Sequence, residues 1–106
     1  MALQKYDVII ELSAASNIDD VFYYIAHVLR EPDIAERICG SIQAAIASLQ
    51  NFPMRHAIIA EEPFASKEIR PLSVENYTIF YAVDDAAKEV HVLHVVYSRR
   101  EWKNLF

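Results

Sequence analysis

Residues 76–97 read NYTIFYAVDDAAKEVHVLHVVY, and this stretch decides the fold because it holds two apolar runs separated by a short polar turn. The runs Tyr77–Val83 and Glu89–Tyr97 are rich in β-branched and aromatic residues, which favours strands. A third such run, Glu68–Val74, ends at Glu75-Asn76. Short turns between successive strands predict an antiparallel meander, because parallel neighbours need a crossover of roughly a dozen residues.

The sequence before this sheet predicts one more strand and a pair of helices. Lys5–Leu12 alternates loosely, as a strand does, and leads to Ser13, a residue suited to capping a helix. Two amphipathic patterns follow, and Pro32 separates them because the residue before a proline avoids helical geometry. The apolar positions recur three and four residues apart: Ile18, Val21, Phe22, Ile25, Val28 and Leu29, then Ala35, Ile38, Cys39, Ile42, Ala45, Ile46 and Leu49.

The predicted architecture is an α+β domain of order β-α-α-β-β-β. The connection between the helices is so short that they form an antiparallel helical hairpin, whose apolar face covers one face of a twisted antiparallel sheet. Phe52-Pro53 closes the second helix, and an irregular polar loop, Met54–Lys67, leads to the meander. No linker, repeat or low-complexity segment interrupts the chain, so residues 1–106 are expected to form a single domain.

Composition narrows the classes of function. Fifteen Asp and Glu against ten Lys and Arg give a formal net charge of −5, which argues against a general nucleic-acid coat. One cysteine, Cys39, leaves no internal disulfide, and no signal peptide precedes the first strand, so a cytoplasmic location is expected. No run approaches the ~18 apolar residues of a membrane span, so no membrane partner is expected. His91 and His94 point to opposite faces of one strand, so neither a metal site nor a cofactor is predicted.

Both faces of the central predicted strand are apolar. Tyr77, Ile79 and Tyr81 alternate with Thr78 and Phe80, and the period alone does not identify which face meets the helices. A sheet with one covered face should be polar on the other, so an uncovered apolar face predicts a protein partner. Phe80 or Tyr81 would then be a contact residue, and without the partner two copies of the chain could associate through the same face.

Four stretches, in order, resemble the RelE/ParE superfamily of toxins from bacterial type II toxin–antitoxin and plasmid-stabilisation modules. They are Glu68-Ile69-Arg70-Pro71-Leu72, residues 76–84 (NYTIFYAVD), residues 90–95 (VHVLHV) and Arg99-Arg100-Glu101-Trp102. The similarity covers nearly the whole chain. It implies a small toxin that a cognate antitoxin holds inactive by packing on the toxin's sheet and helices.

Two activities divide that superfamily. RelE-type members cleave mRNA in the ribosome, which needs a base, a cation and an acid. This chain offers candidates for those three roles, in that order: Glu61 or Glu62, Arg70 or Arg99, and His94 or Tyr97. ParE-type members inhibit DNA gyrase by protein contact and are not known to break bonds.

The ParE-like alternative is favoured. RelE-type toxins usually carry an arginine within the strand that here reads Tyr77–Val83, whereas this chain has Thr78 at the corresponding place. The helical hairpin and the ending Arg99-Arg100-Glu101-Trp102 look more like the ParE branch. Arg99, Arg100 and Trp102 are therefore candidate partner contacts, although the arginines could form salt bridges, and packing of Trp102 back on the sheet is favoured over a role as an interface anchor. An inactive relative that only binds its antitoxin is a third reading.

Overall fold

A four-stranded sheet forms the centre of the molecule. The computed structural model describes residues 5–99 and 102–106. Within them the strands lie in the order β1-β4-β3-β2. The strand bounds are Asp7–Ile10 for β1, Arg70–Val74 for β2, Tyr77–Asp84 for β3 and Glu89–Tyr97 for β4.

Two helices lie between β1 and β2 in the chain, as the sequence predicts. Helix α1 spans Leu12–Tyr23 and continues into a π-helical turn, Tyr24–Val28; helix α2 spans Pro32–Ser48. The chain reverses at Arg30, which has a positive φ of 59°, and Pro32 starts α2 where its missing N–H costs nothing. Two short 3₁₀ turns, Pro53–Arg55 and Lys103–Leu105, complete the elements of the described chain.

The sheet is mixed rather than antiparallel throughout. β2, β3 and β4 form the predicted antiparallel meander, but β1 runs parallel to β4, pairing Asp7 with Glu89 and Ile10 with Val92. Turn length predicts direction only for strands joined by a turn, whereas both helices and two strands separate β1 from β4. The predicted β-α-α-β-β-β order and α+β class are confirmed.

The helices bury one face of the sheet. Ile42, Ile46 and Leu49 of α2 and Ala14 of α1 pack against Ile79, Tyr81, Val90, Val92 and Val95. Within this core, the Tyr81 hydroxyl donates a 2.6 Å hydrogen bond to the carbonyl of Pro53. That bond satisfies a buried phenol and ties the end of α2 to the sheet.

The reverse face of the sheet is also covered, so the expectation of an open apolar face is wrong. Phe80 is stacked on Phe64 with ring centroids 6.0 Å apart, and Trp102 and Phe106 meet it edge-on at 5.1 and 5.5 Å. The loop before β2 and the tail after β4 thus supply a second small core. Phe80 and Tyr81 are both 0% exposed, and neither can contact a partner in this structure.

The candidate partner contacts after β4 differ in their exposure. Trp102 packs back on the sheet through Phe80, while Arg99 is exposed. Arg100 lies outside the described residues. No helix in the described part of the chain is long and apolar enough to cross a membrane.

Replacing Phe80 by Ala should lower the free energy of unfolding by about 3–5 kcal/mol, because it leaves a cavity among three aromatic rings. Urea denaturation followed by tryptophan fluorescence measures this change. Phe52, which is 64% exposed, provides the matched control, and Phe52→Ala should change stability by less than about 0.5 kcal/mol. A loss of stability at Phe80 no larger than at Phe52 would contradict the second core.

Candidate functional site

An apolar groove of about 630 Å³ lies between the helical hairpin and one end of the sheet. We call it the helix–sheet groove. Its walls come from α1 and the π-helical turn, from the beginning of α2, and from the ends of β3 and β4 that meet near Asn76. The lining residues are Asn17, Asp20, Val21, Tyr24, Ile25, Leu29, Ile34, Ile38, Asn76, Tyr77, Val95, Val96 and Tyr97.

The first wall of the groove is formed by one face of α1 and of the turn that follows it. Asn17, Asp20, Val21, Tyr24 and Ile25 recur at intervals of three and four residues, which places them on one face of the helix. The π-helical turn continues that wall, and the N–H of Leu29 reaches back five residues to the carbonyl of Tyr24. Wide turns of this kind are frequent at functional sites.

Much of the apolar lining is open to water. Tyr24 and Leu29 are each 51% exposed, Tyr97 is 45% exposed and Ile34 is 40% exposed. Contiguous apolar surface of this kind usually marks a site of protein contact. The groove is therefore the candidate functional site of the described chain.

Helix α1 is held against β4 by side-chain bonds at a β-bulge. The β3–β4 register shifts between Phe80 and Tyr81, so that Leu93 has no partner on β3. The Ser13 hydroxyl donates to the Leu93 carbonyl at 2.6 Å, and the Val95 N–H donates to the Asn17 side-chain oxygen at 3.1 Å. These bonds fix the start of α1 and hence the direction of the groove wall.

The far wall of the groove is aromatic, and a salt bridge outside the lining holds it to α2. Tyr77 and Tyr97 pack edge-on with centroids 5.8 Å apart, and burial raises the pKa of Tyr77, so its hydroxyl stays neutral. Arg37 of α2 donates to a Glu75 carboxylate oxygen at 2.7 Å, joining the helix to the β2–β3 turn. The sheet end of the groove is thus fastened to α2.

The candidate ribonuclease residues are spread over different surfaces. Arg70 lies beside Tyr81 and donates to the His56 carbonyl at 2.6 Å and the Met54 carbonyl at 3.3 Å, so its charge is used inside the fold. Tyr97 lies beside Tyr77, which precedes Tyr81 by four residues on β3, so Tyr77 and Tyr81 are about 13 Å apart along the strand.

The other candidates face different directions. His94 packs edge-on against Phe106, with centroids 5.2 Å apart, and its Nδ1 lies 3.2 Å from the Asn17 side-chain oxygen. Glu62 accepts a hydrogen bond from the Ser66 hydroxyl at 2.6 Å, and Glu61 and Arg99 are exposed. The structure therefore does not bring Arg70, His94 and Tyr97 together around a shared cleft.

Some exposed apolar residues in and beside the groove had been predicted as core residues. Val28 and Leu29 fit the helical apolar period of the first helix, yet they are 57% and 51% exposed. The informative feature of the sequence was the excess of apolar residues between Phe22 and Leu29. These residues cover a wider arc of the helix than one buried face requires. Ile34 and Tyr24, outside the predicted core positions, carried no recognisable signal.

A second polar cluster lies on the reverse face, near the start of β4. Both ring nitrogens of His91 lie beside carboxylates, Nδ1 at 2.7 Å from Glu11 and Nε2 at 3.1 Å from Glu89. Hydrogen bonding to Glu11 raises the pKa of His91 most, and Glu89 adds to the effect. No three His, Cys, Asp or Glu side chains within the described residues form a group suited to holding a metal ion.

One family model and two solved structures are similar to this chain. The family model described as "ParE toxin of type II toxin-antitoxin system, parDE" matches residues 8–102. A chain of the chromosomal ParDE system of P. aeruginosa aligns with a TM-score of 0.72 at 20% identity, covering 89% of this chain and 97% of that one. A chain of the RelBE2 toxin–antitoxin complex of Mycobacterium tuberculosis aligns with a TM-score of 0.63 at 18% identity, covering 91% and 94%. No curated protein matches the sequence significantly.

The His91 cluster gives a pH-dependent stability. Because the folded-state pKa is raised, the stabilisation is complete below the ordinary value of about 6.5 and is lost as the pH rises through the folded-state value. His91→Gln should therefore destabilise the protein at about pH 5.5 by up to ~1 kcal/mol more than at about pH 8.5. Urea titrations at both values measure the difference. His27→Gln, which removes an exposed imidazole, is the control, and an equal loss at both pH values for His91→Gln would refute the pairing.

Proposed function

The chain belongs to the family of ParE toxins of type II toxin–antitoxin systems, and from this premise we propose that it is the toxin of such a module and is inactive while its cognate antitoxin is bound. The observation that carries the proposal is the helix–sheet groove, whose apolar lining is left open to water. An apolar surface of this size is suited to a segment of another polypeptide.

The groove is the antitoxin site in this proposal. The groove is preferred to the predicted site on the sheet, because Phe80 and Tyr81 are buried by the chain itself, whereas Tyr24, Leu29 and Ile34 are exposed. A docked segment would bury apolar side chains of both partners and shield the groove from any other protein. Antitoxin binding at this place would therefore compete with every target contact that uses the same surface.

The target in this proposal is DNA gyrase, which the toxin inhibits by protein contact rather than by chemistry. Two facts support the non-enzymatic mechanism. The ribonuclease candidates do not share a cleft, and the guanidinium of Arg70, one of the two candidate cations, donates to the carbonyls of Met54 and His56. Thr78, at the position where RelE-type toxins usually carry arginine, is 2% exposed and lies within 2.9 Å of the Ser98 hydroxyl.

Purified toxin at micromolar concentration should stop gyrase from supercoiling relaxed plasmid, and the cognate antitoxin added first should prevent the inhibition. Agarose gels run with and without detergent and protease distinguish blocked catalysis from a trapped cleavage complex. If supercoiling proceeds normally and no cleavage complex is trapped, gyrase is not the target. Primer extension on translated mRNA then tests the alternative, because codon-positioned cuts would identify a ribosome-dependent nuclease.

Leu29→Asp should weaken antitoxin binding by about thirtyfold or more, the effect of losing a contact worth at least ~2 kcal/mol. Titration calorimetry with the product of the neighbouring antitoxin reading frame measures the affinity. Leu12→Asp is the matched control, since Leu12, the first residue of α1, is 87% exposed but does not line the groove. Equal losses for the two variants, or none for either, would exclude the groove as the antitoxin site.

A further inference from the structure

Asp20 stands out in the helix–sheet groove because it brings a negative charge into an apolar lining. Among the described residues that line the groove, it is the only Asp or Glu, and none is Lys, Arg or His. It lies in the middle of the groove-lining face of α1, between Asn17 three residues before it and Tyr24 four residues after it.

The Asp20 carboxylate is also unpaired. Within residues 5–99 and 102–106, no group donates a hydrogen bond to it and no cation lies in salt-bridge contact with it. Arg37, the cation of α2, is paired with Glu75 at 2.7 Å. The described residues therefore leave the exposed carboxylate of Asp20 to the solvent.

Docking of an apolar segment would remove that solvent. A carboxylate that loses its hydration without gaining a partner costs free energy, so a purely apolar or acidic segment would be penalised beside Asp20. A Lys or Arg side chain avoids the penalty, because its aliphatic stem can lie along apolar groove residues while its head reaches the carboxylate. The rings of Tyr24 and Tyr97 are further surfaces that attract a cation.

We propose that Asp20 is a specificity residue of the groove, and that the polypeptide segment it selects combines apolar anchors with one Lys or Arg that pairs with this carboxylate. The inference rests on the proposed function, since it describes the segment that occupies the same groove. The inference adds that the segment must carry a positive charge beside Asp20. Segments that are acidic at this position bind more weakly, even when their apolar residues fit the groove.

A display selection tests the inference with defined probes. A library of linear peptides, with fixed apolar positions and randomised positions between them, is selected on four baits: the unmodified chain, Asp20→Asn, Asp20→Lys and Leu29→Asp. Asp19→Asn is the matched control, because Asp19 is the exposed neighbour about 100° further around the helix and does not line the groove. Circular dichroism verifies that every bait is folded.

Peptides that bind the unmodified chain should be enriched in Lys or Arg at one position. Their affinity should fall about tenfold on Asp20→Asn and stay unchanged on Asp19→Asn, as expected for the loss of one charge-assisted hydrogen bond. Asp20→Lys should instead enrich Asp or Glu at that position.

Two other outcomes overturn the inference in distinguishable ways. Binders that depend on Leu29 but show no basic preference, or keep the same preference on Asp20→Asn, would remove the role of Asp20 and leave the groove as a docking site. A selection that yields no peptide distinguishing the unmodified chain from Leu29→Asp would remove the docking site itself, and the proposed antitoxin surface with it.

Discussion

The middle of β3 has no face in contact with water, and the rest of the structure depends on this constraint. On one side Ile79 and Tyr81 are packed under the helices, and on the other Phe80 is enclosed by Phe64, Trp102 and Phe106. A strand buried on both faces requires two covering layers. In this small chain the helical hairpin supplies one, and the loop before β2 together with the tail after β4 supplies the other.

Because the chain itself covers both faces of the sheet, the accessible apolar surface lies on the helical hairpin. The start of α1 is bonded to the bulge of β4 through Ser13 and Asn17, and α2 is joined to the β2–β3 turn by Arg37. Between these two attachments the end of α1 and its π-helical turn present Tyr24 and Leu29 to solvent. Because the hairpin is held at both attachments and open between them, the groove is already formed before a partner binds.

Sequence patterns were informative where a local rule applied. Short polar turns established the antiparallel pairing of β2, β3 and β4, and helical spacing located both helices, with Pro32 between them. The parallel pairing of β1 could not be predicted, because nothing local relates it to β4. The packing of Trp102 on the sheet was one of the predicted alternatives, but Phe64 lies in aperiodic sequence, so its contribution to the second core and the burial of Phe80 had no recognisable pattern. The groove was missed because exposed apolar residues such as Leu29 share the period of the core.

The pairing of β1 with β4 has a consequence for how the chain reaches its fold. Asp7 meets Glu89, so the sheet edge closes a loop that includes most of the polypeptide. The entropy of such closure must be lost before the contact contributes, which slows domains rich in distant pairings relative to helical ones. The meander and the hairpin can each form from neighbouring residues, whereas the first strand has no place to bind until the last strand is present. Acquisition of the native state is therefore a late, cooperative event that a chain interrupted before β4 cannot complete.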